Sequence, residues 1–134
     1  MTSALIHTLD LYGKFVAFSH TIFALPFALA MMMIVHVRHP VSIAQLLLIL
    51  LALVSARNYA MAFNRLVDRH IDAKNPRTAQ RELPAGLLSL PQALVFFVAN
   101  LALFLVAAGL LGTHCIVLAP VVVVILCGYS YGKR

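Results

Sequence analysis

Two of the four acidic residues in this chain of 134 residues stand four positions apart, at the end of a long apolar run. They are Asp68 and Asp72, and Asn64 precedes them by the same interval. Each step of four residues turns a helix by about 40°, so the three side chains would share one face, with Arg57 in the same arc. Carboxylates beside a carboxamide and a basic residue suit a hard cation together with a phosphate group.

The composition indicates an integral membrane protein. Hydrophobic residues make up 63% of the chain and charged residues 10%, with a mean hydropathy of +0.98. A typical soluble domain has about 25% charged residues. The net charge of +6 comes from basic residues near the ends of apolar runs, which indicates membrane orientation rather than nucleic-acid binding. Cys115 and Cys127 lack metal-ligand spacing and are expected to be packing residues.

Uncharged runs divide the chain into membrane-spanning helices. The run 15–37 would extend about 34 Å as a helix, enough to cross a hydrocarbon core of roughly 30 Å. An uncharged run of 50 residues, 83–132, is too long for one span and is expected to turn at 112–114. The sequence therefore predicts a single all-α domain over 1–134, a multi-pass transmembrane bundle. Its four predicted helices are about 15–37, 41–72, 91–111 and 115–131.

The second predicted helix is longer than a membrane is thick. As a helix, residues 41–72 would reach about 48 Å, against roughly 30 Å of hydrocarbon. Asp68 and Asp72 would then lie about 12 Å beyond the far boundary, at the interface, where charge is less costly. A polar, basic loop is predicted over 73–89. Residues 1–14 favour a short interfacial helix, with Tyr12 and Lys14 as anchors.

The distribution of basic residues predicts the orientation. Lys14, the loop region 65–81 and the Lys133-Arg134 end belong on one side of the membrane, and Arg38 belongs on the other. By the positive-inside rule, both termini and the loop are cytoplasmic. The acidic pair would therefore open to the cytoplasm.

Three motifs in order, together with the first span, resemble the UbiA-type intramembrane prenyltransferases, in the branch near the 4-hydroxybenzoate polyprenyltransferases. The first motif combines Arg57 with the Asn-x-x-x-Asp-x-x-x-Asp pattern at 64–72. The second, at 75–86, is similar to the family's cap-loop motif, although Glu82 stands where a proline is usual. The third, at 129–134, is similar to the tyrosine-lysine-arginine pattern that ends the family's fourth helix. Residues 18–27 also look like the first helix of this branch.

The resemblance implies an activity and a set of site residues. Family members transfer a prenyl group from a polyprenyl diphosphate to an aromatic acceptor with the help of Mg²⁺, here an acceptor like 4-hydroxybenzoate in quinone biosynthesis. Asp68 and Asp72 would be the catalytic residues and, with Asn64, the metal ligands. The implied diphosphate-binding residues are Asn64, Arg57, Arg77, Arg81 and Lys133. A bacterial inner membrane is the expected location.

The resemblance also implies a larger fold than this chain supplies. Family members have about nine spans and a second aspartate-rich motif, whereas the acidic residues here end at Glu82. We therefore expect the chain to form the N-terminal half of a nine-helix fold. It would be a truncated gene product, a gene fragment, or one half of a split enzyme that has a complementary C-terminal half as its partner. The alternatives are a non-catalytic four-helix scaffold and a small carrier with an interfacial cation site.

Structural explanations remain open for individual residues. A solvated helix end would account for Asp68 and Asp72, and membrane orientation alone would account for Arg77 and Arg81. Lys133 would equally serve as a membrane anchor. Three more residues have structural alternatives, an ion pair for Arg57 and buried hydrogen bonds for His20 and Asn100.

Overall fold

The chain folds into five α-helices joined by short connections and one longer loop. The computed structural model describes residues 2–132, and it describes side chains from Ile6 onward with the exception of His20. Within these residues every regular element is an α-helix, which confirms the all-α prediction. The helices are α1 (Thr2–Phe15), α2 (Phe18–Arg38), α3 (Ile43–Lys74), α4 (Leu90–Leu111) and α5 (Thr113–Gly132).

Four of the helices are long and apolar enough to cross a membrane. These are the stretch Thr21–Arg38 of α2 and the whole of α3, α4 and α5. Their outward faces carry many exposed large apolar side chains, such as Phe27, Val37, Val95 and Val124. An apolar surface of this extent suits contact with lipid rather than water. The chain is therefore an integral membrane protein with several spans.

The first apolar segment is interrupted by a break that its composition does not predict. The predicted span 15–37 begins as the end of α1, and α2 starts only at Phe18. Between them Ala17 has φ 49° and ψ 56°, the left-handed conformation that is unfavourable for residues other than glycine. Phe15 and Val16 are buried against α3 and α4, and Phe15 O accepts a hydrogen bond from Arg65 Nε at 3.3 Å. These tertiary contacts hold the break in place.

Helix α1 is a separate short helix before the first span. Leu11 and Tyr12 pack against the buried cluster at the loop end of α3, and the Tyr12 ring stacks on Phe96 with centroids 5.0 Å apart. On its exposed face Lys14 Nζ donates to Asp10 Oδ2 at 2.6 Å. This contact raises the pKa of Lys14, so the side chain keeps its charge.

The interface between α3 and α4 forms the centre of the bundle. Tyr59 is fully buried there, and its ring lies 5.5 Å from Phe104, centroid to centroid. Small residues at the helix contacts let the backbones approach closely. The buried alanines are Ala62 on α3, Ala93, Ala107 and Ala108 on α4, and Ala119 on α5.

A pair of asparagines links the same two helices inside the apolar region. Asn58 Nδ2 donates to Asn100 Oδ1 at 3.0 Å, and Asn100 Nδ2 donates to Phe96 O at 2.9 Å. The interpretation of Asn100 as an interhelical hydrogen-bonding residue is thereby confirmed.

The two central helices begin with matching capping boxes and end at opposite sides of the bundle. Ser42 caps α3 through Gln45, and Ser89 caps α4 through Gln92. Each serine accepts from the third backbone amide, and each glutamine side chain accepts from the serine amide. Helix α3 has 32 residues and extends about 48 Å, so its C-terminal turns reach the loop 75–89 that leads to α4. We call residues 75–89 the α3–α4 loop.

Candidate functional site

The polar face at the C-terminal end of α3 contains a paired amide and carboxylate. Asn64 Nδ2 donates to Asp68 Oδ2 at 3.2 Å, one turn further along the helix. Both side chains are half-buried. The spacing of four residues brings them together, as the sequence predicted. We call them the Asn64–Asp68 pair.

Asp72, one further turn along, has different partners. Its carboxylate oxygens both accept hydrogen bonds from Arg81 NH1 of the α3–α4 loop, at 2.9 and 2.8 Å. The side chain of Asp72 is 10% exposed and that of Arg81 37% exposed. Asp72 therefore anchors the loop to the helix end, a contact that a helical-face argument does not reveal.

Arg57 lines a cavity between α3 and α5. The cavity has a volume of about 210 Å³, and we call it the Arg57 cavity. Arg57 Nε is buried and has no hydrogen-bond partner, so this donor is available to a ligand. Asn64 lines the same cavity and so joins it to the Asn64–Asp68 pair. The remaining lining residues are Ala60, Met61, Leu126, Tyr129 and Ser130.

Helix α5 contributes two polar residues to the cavity that were not predicted as site residues. Tyr129 is exposed and Ser130 is buried, and both line the Arg57 cavity. The packing of α5 on α3 brings them there, with the Phe63 and Tyr131 rings 5.9 Å apart. Tyr129 is the first residue of the third motif, so the sequence contained a signal for it. For Ser130 the only sequence signal was its position next to Tyr129.

The α3–α4 loop has a folded core and an exposed basic residue. Leu88 is buried and Leu83 packs beside it in the cluster formed with Phe15 and Leu66. Arg77 is exposed, and its backbone N donates to Asn75 Oδ1 at 3.0 Å. The structure thus brings Arg81 to the acidic face and leaves Arg77 pointing to the surroundings.

Two motif residues remain, Glu82 in the α3–α4 loop and Lys133 in the third motif. Glu82 Oε2 is buried without a hydrogen-bond partner, at the position where the resemblance leads one to expect proline. Lys133, predicted to bind the diphosphate, lies outside the described residues.

The donor chemistry of this face fits Mg²⁺ only with help from a ligand. Among the side chains that the structure describes, no group of three or more His, Cys, Asp or Glu residues is arranged to hold a metal ion. The Asn64–Asp68 pair supplies hard oxygen donors, which Mg²⁺ prefers. Proteins usually bind Mg²⁺ through one or two carboxylates together with substrate phosphates and water. The pair therefore fits a shared metal and diphosphate site.

Comparison with known proteins identifies the class to which this arrangement belongs. Residues 24–134 match the UbiA prenyltransferase family. The apo structure of a UbiA homolog from Aeropyrum pernix K1 superposes with a TM-score of 0.78 and 39% sequence identity, over 87% of this chain and 42% of that one. The chain belongs to the UbiA prenyltransferase family, a family of transferases, which confirms the resemblance seen in the motifs.

Individual relatives include enzymes with two different acceptors in their names. A 4-hydroxybenzoate octaprenyltransferase of Aliivibrio fischeri is 32% identical over 89 residues, which are 66% of this chain and 31% of the relative. A protoheme IX farnesyltransferase of Shewanella sediminis is 50% identical over 44 residues, which are 33% of this chain and 14% of the relative. The chain thus spans about a third or less of the length of these relatives.

Proposed function

We propose that the C-terminal face of α3 and the α3–α4 loop bind the diphosphate of a polyprenyl diphosphate, for transfer of the prenyl group to an aromatic acceptor. The observation that carries the proposal is the alignment of three features along the C-terminal half of α3. The Arg57 cavity, the Asn64–Asp68 pair and the Asp72–Arg81 contact follow one another over about four turns, since Arg57 and Asp72 are about 22 Å apart along the helix. Family membership supports the reaction class.

The position of this face suits an amphiphilic substrate. Helix α3 is longer than the hydrocarbon core is thick, so its last turns can meet a polar head group at the interface. The Arg57 cavity is lined both by polar residues and by the apolar residues Ala60, Met61 and Leu126. A diphosphate would lie among the polar groups while the prenyl chain stays in apolar surroundings.

We assign direct contact with Mg²⁺ to Asp68 and Asn64. When bound, Mg²⁺ would neutralise charge that develops on the departing diphosphate. The chain's own cations would share that task, because guanidinium and ammonium groups stabilise phosphate oxygens electrostatically. The residues proposed for it are Arg57, Arg77, Arg81 and Lys133.

The unpaired donor of Arg57 supports a ligand contact rather than a purely structural role. A buried N–H group without a partner costs free energy, commonly about 1–3 kcal/mol, unless something binds it. Arg57 Nε is such a group, and the side chain lines a cavity of about 210 Å³. A phosphate or carboxylate oxygen in this cavity would satisfy it.

A phenolic acid such as 4-hydroxybenzoate is our proposed acceptor, with quinone biosynthesis as the setting. The support is the name of the Aliivibrio fischeri relative, which aligns over 66% of this chain. The basic residues favour an orientation in which the loop lies on the cytoplasmic side of a bacterial inner membrane. This orientation would give water-soluble acceptors access to the site.

A reconstituted assay tests the proposal. Two samples are purified and placed in lipid vesicles: the chain alone, and the chain co-expressed with the C-terminal part of a homologous enzyme as the complementary half. Each sample is supplied with geranyl diphosphate, 4-hydroxybenzoate and Mg²⁺. We expect prenylated hydroxybenzoate in the combined sample and its loss when Asp68→Asn is introduced. Correctly folded protein that forms no product in either arrangement, or product that is insensitive to Asp68→Asn, contradicts the proposal.

A further inference from the structure

The two aspartates of the α3 motif are chemically identical but are held in different ways. Asp68 lies in the half-buried Asn64–Asp68 pair. Asp72 is buried, and one nitrogen of Arg81 donates to both of its carboxylate oxygens. A carboxylate that is 10% exposed and occupied by a guanidinium has little capacity left for a metal ion.

The backbone of Asp72 is also engaged by the α3–α4 loop. Asp72 O accepts from Thr78 Oγ1 at 3.0 Å and from Asn75 N at 3.3 Å. With the Arg81 contact, Asp72 thus binds the loop at residues 75, 78 and 81, which recur every third position. The first seven residues of the loop are in this way folded around a single residue at the end of α3.

The Arg81 guanidinium is left with donors to spare. A guanidinium has five N–H groups, and the contacts with Asp72 involve only the nitrogen NH1. The N–H groups on Nε and NH2 remain for an oxygen ligand. Asp72, which holds the guanidinium, follows Asp68 by one helical turn.

We propose that Asp72 is a positioning residue, which fixes Arg81 and the loop beside the Asn64–Asp68 pair, and that it is not a direct metal ligand. The metal is bound by Asp68 and Asn64, and Arg81 binds the phosphate that the metal also contacts. This division of roles rests on the proposed function, because that function supplies the metal and the diphosphate.

The first test measures how firmly the loop is held. Trypsin cleavage after Arg77 is followed by mass spectrometry on the full chain in detergent, in wild type and in Asp72→Asn, Arg81→Gln and the double variant. Losing a hydrogen bond between charged groups opens the loop about tenfold more often, so each single variant should be cut about tenfold faster. The double variant should be cut no faster than either single one, because both remove the same contact.

A matched control separates this contact from ion pairs in general. Asp10→Asn breaks the exposed Asp10–Lys14 pair, which lies on α1 and leaves the loop contacts intact. We expect an unchanged cleavage rate after Arg77. Additive effects of Asp72→Asn and Arg81→Gln, or no effect of either, would overturn the positioning role whether or not the chain binds a diphosphate.

The second test separates metal binding from phosphate binding. Mn²⁺ alone is titrated by electron paramagnetic resonance, and inorganic pyrophosphate is then titrated by calorimetry with Mn²⁺ present. Asp68→Asn should weaken Mn²⁺ binding about tenfold or more, whereas Asp72→Asn should leave it within about threefold of wild type. Arg81→Gln should weaken pyrophosphate binding at least as much as Asp72→Asn, and the double variant should be no weaker than Arg81→Gln alone.

The outcomes distinguish the two proposals. Equal loss of Mn²⁺ affinity in Asp72→Asn and Asp68→Asn would make Asp72 a metal ligand and refute the inference. A wild-type chain that binds neither Mn²⁺ nor pyrophosphate would refute the proposed function, and the cleavage experiment would then decide the positioning role by itself.

Discussion

At the scale of single residues, the environment of each polar side chain determines what it can do. Asn64 and Asp68 share a hydrogen bond, Asp72 is committed to Arg81, and Arg57 keeps a buried donor without a partner. A shared helix face does not reveal these differences. The spacing of the motif therefore indicates a site, and the surrounding contacts divide its roles.

Arg57 gives a prediction in which stability and binding move in opposite directions. Arg57→Leu removes a buried unpaired donor, so we expect the free energy of unfolding to stay the same or to rise by about 1 kcal/mol. Pyrophosphate binding should weaken about tenfold, since one charged hydrogen bond is lost. Thermal unfolding in detergent and calorimetry measure the two effects.

The control for this prediction keeps the charge but changes the geometry. Arg57→Lys should recover part of the pyrophosphate affinity, because the ammonium still offers a cation but lacks the guanidinium fork. If Arg57→Leu unfolds the protein instead, the side chain has a structural partner and the ligand role fails.

At the scale of helices, the connections depend on tertiary contacts more than on local sequence. Hydropathy alone predicted the apolar spans, because an uncharged run long enough to cross the membrane is a strong signal. The boundary between the short first helix and the first span was predicted between residues 14 and 15, whereas the break lies at Ala17, which neither glycine nor proline marks. It depends on Arg65 reaching Phe15 O across 50 residues of chain. The Asp72–Arg81 contact was missed for a different reason: it is local in sequence, but Arg81 lies beyond the end of α3, where the helical repeat no longer predicts neighbours.

The left-handed residue at the α1–α2 break predicts a stabilising substitution. Ala17 has φ 49°, a conformation that glycine adopts without steric cost. Ala17→Gly should raise the free energy of unfolding by roughly 0.5–1 kcal/mol. This net gain is the backbone strain that glycine relieves, less the conformational entropy that glycine adds to the unfolded chain. Ala99→Gly, on the exposed face of α4, is the matched control and should lower it by about 1 kcal/mol. A loss of stability in Ala17→Gly would show that the break is not strained.

The asparagine pair between α3 and α4 predicts a double-mutant result. Asn100→Leu leaves the amide of Asn58 without its partner, and we expect a loss of about 0.6–2 kcal/mol. Asn58→Leu combined with Asn100→Leu should recover most of it, because no buried polar group is then left unpaired. Unfolding in mixed detergent micelles measures the coupling, and strictly additive losses would contradict it.

At the scale of the whole molecule, the exposed apolar faces and the polar loop define how the chain sits in a membrane. Four long helices present large apolar side chains outward, whereas the α3–α4 loop carries the exposed basic residue Arg77. Hydropathy could predict this division. It could not predict the Arg57 cavity, which arises only when α5 packs beside α3.

The predicted orientation can be tested with single cysteines. The background replaces Cys115 and Cys127 by serine. The two single variants are Gln80→Cys, in the α3–α4 loop, and Thr113→Cys, at the start of α5, and both positions are exposed. A membrane-impermeant maleimide added to intact spheroplasts should label the cysteine at 113 and reach the one at 80 only after permeabilisation. The reverse pattern would place the loop outside the cytoplasm.

The contacts around Asp72 also bear on the order in which the site is assembled. They join residues no more than nine positions apart, so they can form as soon as the loop has been synthesised. The Arg57 cavity needs residues of α5, which is made after α3 and the loop. The loop contacts can therefore form before the cavity during biosynthesis, and α5 then packs against an α3 whose C-terminal end is already held by the loop.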